Sequence, residues 1–124
     1  MSAASYPLSS MLQDLVLELE DSHARLAGTL HEVAGCTELV NLLKFSLESE
    51  QAKLLAHGLE GNNKEQRDAC LRLKLQDQYT ALHEAEHTLQ QARLEHDLAE
   101  LEWDALRYRL RAYEAAACTG LILK

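Results

Sequence analysis

Proline occurs once and glycine five times in 124 residues. Turn-dense β-sandwiches and barrels need such residues at many corners, so that architecture is excluded, as are collagen-like and Gly/Ser-linker chains. Aromatic side chains make up 5% of the chain, too few to build stacking platforms for bases. Basic residues are outnumbered: twelve Lys and Arg stand against twenty Asp and Glu, for a net charge of −8. A chain of that sign is poorly suited to neutralising phosphates, so no direct nucleic-acid contact is expected. No run approaches the length of a membrane-spanning apolar segment, and no membrane association is expected. The first residues carry no Lys or Arg ahead of an apolar core and do not read as a secretory signal. Cys36, Cys70 and Cys118 are odd in number and widely spaced. They read as free thiols in a reducing cytoplasm, with neither a disulfide framework nor metal-ligand spacing.

What remains is rich in helix formers. Pro7 precedes Ser9 and Ser10, either of which can cap a helix running from about residue 10 to 57. Gly58-Leu-Glu-Gly-Asn-Asn63 is the one strong break. Gly58 suits a left-handed C-terminal cap, and Asn63 with Gln66 three residues on forms a capping box for a second helix. That helix is expected over about 64–117, ending at Thr119-Gly120. A rival division breaks the first helix at Gly35 and restarts it with Thr37 as cap.

Alternating steps of three and four residues visit apolar or small side chains through both halves. In the first they run from Leu12, Leu15 and Leu19 to Leu47, Glu50 and Leu54; in the second, from Leu71 and Leu75 to Leu106, Leu110 and Tyr113. Both keep phase for about six heptads, which predicts an all-α chain folded as a long antiparallel two-helix coiled-coil hairpin. Folding about the 58–63 loop places residue i opposite roughly 121 − i or 122 − i. That register sets large layers against large ones (Val40 with Leu82) and small against small (Ser22 with Ala99). Gly28 and Gly35 would lie beside the small layers and allow close approach.

One seam is a thin core for a chain of this length. Leu94, Leu98, Leu101, Ala105 and Tyr108 form a second stripe on the opposite face of the second helix, and Leu17, Leu42 and Phe45 also point away from the seam. A helix apolar on two faces needs two covers. The expected cover is a second copy, favouring a dimer in which two hairpins make a four-helix assembly, or an unidentified protein partner. These five residues are the candidate partner-binding site. A compact three-helix bundle hiding the stripe itself is the alternative.

Candidate chemistry is sparse. His83-Glu84-Ala85-Glu86-His87 matches the His-Glu-x-x-His spacing, which on a helix presents two imidazoles to Zn²⁺ and a glutamate base to its water. Positions 90 and 93 are Gln and Arg, so the longer zinc-peptidase signature is not completed. No strand is expected to hold a peptide substrate. A solvated helix face is the better reading, with no catalytic residue, metal or cofactor expected. His96 falls on an inward seam position and is expected to be a hydrogen-bonded structural residue. Between Glu84 and Asp104 stand seven acidic residues and one arginine, followed by Arg107, Arg109 and Arg111. The acidic stretch reads as a solvated face, a docking face for a basic partner, or a mimic of DNA phosphates.

The stretch Asn62-Asn-Lys-Glu-Gln-Arg-Asp-Ala69, then Tyr79-x-x-Leu82-x-x-Ala85-Glu86 and Leu106-Arg-Tyr-Arg-Leu110, resembles short bacteriophage and prophage helical hairpin proteins. The resemblance spans residues 60–112 and implies a small accessory product in a bacterial host cytoplasm. It carries over no catalytic residue. The expectation is therefore a non-enzymatic oligomeric helical protein that acts by binding another protein. The alternatives are an acidic DNA-mimic inhibitor of a host nuclease, CRISPR or recombination enzyme, and, behind that, a zinc-dependent hydrolase.

Overall fold

A computed structural model describes residues 6–58 and 63–119. Every element in it is helical: α1 (Tyr6–Ala56), α2 (Lys64–Lys74) and α3 (Gln76–Thr119). α1 begins four residues ahead of expectation, so Ser9 and Ser10 lie inside it and not at its N-terminal boundary. Pro7 explains the early start: its fixed φ suits a first helical turn, and its missing N–H has no helical acceptor there. α1 is continuous through Gly35, so the rival division does not occur. It ends as the sequence predicts. Gly58 takes φ +80°, and its N–H donates to the Leu55 carbonyl at 3.3 Å, using the left-handed freedom that glycine has. Asn63 then accepts from the Gln66 N–H at 2.8 Å, capping α2. The expected stop at Gly120 lies outside the described residues.

The second arm is two helices, a division the sequence reading missed. The interruption is the single residue Leu75, at φ −110° and ψ 18°. Its N–H still donates to Leu71, and its carbonyl accepts from Tyr79, both at 3.0 Å. Neither proline nor glycine causes the break. Leu75 is among the most deeply buried side chains, 2% exposed, and the local rotation coincides with its seating in the core.

The chain packs as two compact units, residues 32–93 and the flanking segments up to 31 and from 94. In the first of these, Val40, Ala85 and Leu89 form the buried cluster, with Val33, Cys36, Leu43 and Leu82 packed against it. Toward the loop, Gln51 donates to the Tyr79 hydroxyl at 2.6 Å. In the second, Leu15, Ser22, Ala99 and Leu106 are buried. There Arg25 pairs with Glu102, Arg109 with Glu18 at 2.9 Å, Thr29 with His96 at 2.9 Å, and the His23 ring sits 5.6 Å from that of Trp103. Seam positions are the buried or half-buried ones along both arms, Leu12 alone being exposed at 37%.

These pairs correct the register by about one helical turn. Residue i of α1 faces about 125 − i of α3, and flanking charges meet at about 127 − i. The physical reason is the reversal of chain direction. In an antiparallel pair, an a position on one helix meets a d position on the other; the expected register set a against a. In four layers the corrected register places a large side chain opposite a small one (Val40 by Ala85, Val33 by Ala92, Leu26 by Ala99, Trp103 by Ser22), while Leu19 faces Leu106 and Leu43 faces Leu82. Gly28 and Gly35 do not serve close approach: a Cβ at either would meet open space, because both sit on the outer face of α1.

Candidate functional site

The outer face of α3 is set by the same heptad that builds the seam. Leu94, Leu98, Leu101, Ala105 and Tyr108 occupy c and f positions, directly opposite the a and d residues that face α1. All five lie in one packing unit and all five are exposed. Leu94 is 60% exposed, Leu98 57%, Leu101 66% and Tyr108 67%, and Ala112 continues the same row. Four large side chains at such exposure leave roughly 400 Å² of apolar surface in one stripe, the scale at which a surface patch calls for an explanation. The hairpin itself does not cover it.

The charges beside the stripe form an ordered arrangement that composition alone does not show. Glu95, Glu102 and Arg109 line one edge; Asp97, Asp104 and Arg111 line the other. Glu102 and Arg109 are engaged by Arg25 and Glu18 within the hairpin, and Arg107 reaches Asp104 at 4.0 Å. Arg109 is held above its ordinary pKa by a hydrogen bond with Tyr113 and by the nearby Glu18 carboxylate. Arg111 lies over the Tyr108 ring at 5.7 Å. Glu95 and Asp97 have no ion-pair partner among the described residues.

His96 is held from both sides. Its Nδ1 lies 2.9 Å from the Thr29 hydroxyl, which also donates to the Leu26 carbonyl at 3.0 Å. Its Nε2 lies 2.9 Å from Glu100. A seam histidine with both nitrogens partnered is a structural residue fixing register. The register expected from the sequence, with i opposite 122 − i, would set His96 against Leu26; the corrected register sets it against Thr29.

The His-Glu-x-x-His segment is not assembled into a metal centre. Ala85 faces inward, while His83 and His87 are exposed on α3. His87 Nε2 lies 3.3 Å from Gln91 Nε2. Among the described residues, no group of three or more His, Cys, Asp or Glu side chains is placed to hold a metal ion. Beside the α2–α3 break lies a hollow of about 450 Å³ lined by Arg72, Leu73, Gln76, Tyr79 and Thr80, without a convergent set of acid, base and nucleophile. Cys36, Cys70 and Cys118 are free thiols. Among the described residues no helix is long and apolar enough to cross a membrane. Comparison of the chain with family models, curated proteins and solved structures finds no match.

The residues that sequence reasoning missed are the edge charges. Their signal was present: Glu18 and Arg25, seven apart on α1, mirror Glu102 and Arg109, seven apart on α3. Matching opposite charges at equivalent edge positions would have fixed the register at once.

Proposed function

We propose that this protein is a non-enzymatic helical hairpin that self-associates and acts by binding another protein, in the manner of a phage accessory factor working in a bacterial cytoplasm. The observation that carries this reading is the stripe Leu94, Leu98, Leu101, Ala105 and Tyr108, exposed along its whole length on the face of α3 opposite the seam. Burying apolar surface is the dominant favourable term in association, and a row of large side chains held on a packed helix loses little entropy on docking. An acidic DNA mimic would present two rows of carboxylates on one unbroken face. Here Leu94, Leu98 and Leu101 run between the carboxylate rows, which favours a protein partner over a nuclease groove. A zinc hydrolase would need a third ligand beside His83 and His87, and none is placed there among the described residues.

Affinity capture from the host with the wild-type chain and with Leu98→Glu tests this directly. The reading predicts a partner held by the wild type and lost from the variant, with helicity unchanged. Identical captured proteins from both would contradict it.

A further inference from the structure

We infer that the outer stripe of α3 is a self-recognition surface on which a second copy of the chain docks its own α3 in antiparallel orientation, in one register chosen by charge. The inference rests on the proposal that the stripe binds protein, and it names the occupant.

Three observations carry it. The first is the composition of the stripe, which alternates large with small toward its C-terminal end. An antiparallel copy set in the a-to-d fashion of the hairpin seam places Leu98 opposite Tyr108 of the second copy, Leu101 opposite Ala105 and Leu94 opposite Ala112. Each contact then occurs twice about the two-fold axis, as an isologous interface requires. Large meets small in two of the three layers, the same complementarity that fixes the intramolecular seam.

The second is the order of charge along α3, acidic up to Asp104 and basic from Arg107 to Arg111. In this register one edge brings Glu95 to Arg109 of the second copy, and the other brings Asp97 to Arg111. A parallel pair would set acidic against acidic. An antiparallel pair slid by one heptad one way opposes Asp97 to Asp104 and Glu95 to Glu102; slid the other way, it leaves Leu94 uncovered.

The third is which charges the hairpin has already neutralised. Glu102 and Asp104 face their own symmetry mates at the axis, where like charges would repel, and these are the carboxylates held by Arg25 and Arg107. Glu95 and Asp97, which gain a partner, have none within the hairpin among the described residues, and Arg109, which Glu95 meets, would be shared with Glu18 of its own hairpin. Two copies so joined bury on the order of 1,000 Å², near the lower end for a specific dimer.

Charge-reversed variants test the register by sedimentation equilibrium, with circular dichroism confirming equal helicity. Asp97→Lys and Arg111→Glu should each weaken the homodimer about tenfold, because each sets two like-charged pairs across the axis. An equimolar mixture of the two should recover near wild-type affinity as a heterodimer, since both contacts between positions 97 and 111 are then between opposite charges and the contacts at the axis are as in the wild type. A wild-type chain that stays monomeric overturns the inference while leaving a different protein partner open to capture. A dimer lost in Leu101→Glu but indifferent to both charge reversals overturns the register and keeps the stripe as a binding surface. A dimer that survives Leu101→Glu overturns the inference, and capture with Leu98→Glu then decides separately whether the stripe binds another protein.

Discussion

At Ser22 the seam carries a polar atom it does not satisfy. The side chain is 1% exposed, and its Oγ has no hydrogen-bond partner among the described residues. An orphaned buried hydroxyl costs about 1–3 kcal/mol. Ser22→Ala is therefore predicted to raise stability by about 1 kcal/mol in urea unfolding, because it removes the orphan at nearly constant volume. A lower midpoint would show that the hydroxyl is engaged. Thr29 presents the opposite case. Its hydroxyl serves both His96 and the Leu26 carbonyl, so Thr29→Val should lower stability by about 1–2 kcal/mol by leaving the imidazole without that partner. Equal stability would deny His96 its structural role. Gly28 has open space where a Cβ would stand and sits within α1. Gly28→Ala should stabilise the helix by up to about 1 kcal/mol, and a loss on this substitution would point to a contact made through that face.

At the scale of the elements, both ends of the turn were legible because capping is local chemistry. Gly58 and Asn63 declare themselves by residue type, and the structure uses them as read. Asn63→Ala should cost about 1 kcal/mol by removing the oxygen that accepts from Gln66, measurable as a drop in melting temperature. The seam was equally legible, since a 3–4 period depends only on spacing. Three features were not. The start of α1 turned on Pro7 being tolerated in a first turn, and the expected caps fell inside the helix. The break at Leu75 has no proline or glycine behind it; it coincides with a buried leucine being seated, which only the packed structure reveals. The register failed because size matching alone admits several solutions. The a-to-d rule and the mirrored Glu18, Arg25, Glu102 and Arg109 select one. Of the candidate site, the five stripe residues could be read from periodicity. The edge charges gained meaning only once their partners across the seam were known.

For the whole molecule, one seam satisfies the inner faces of α1 and α3 and leaves the outer face of α3 apolar. Acidic residues border that stripe up to Asp104 and arginines follow beyond it, while α1 also carries eight Asp and Glu against three Lys and Arg. Such an arrangement keeps the surface hydrated, and under the proposed self-docking it would select the antiparallel direction. The central proposal is that this stripe is buried against a second copy of the chain. Multi-angle light scattering at micromolar concentration tests it most directly, comparing the wild-type chain with Leu101→Glu. The wild type should show twice the 13.9 kDa chain mass and the variant the mass of a single chain. A wild-type mass of one chain, or a variant that still dimerises, would contradict that proposal.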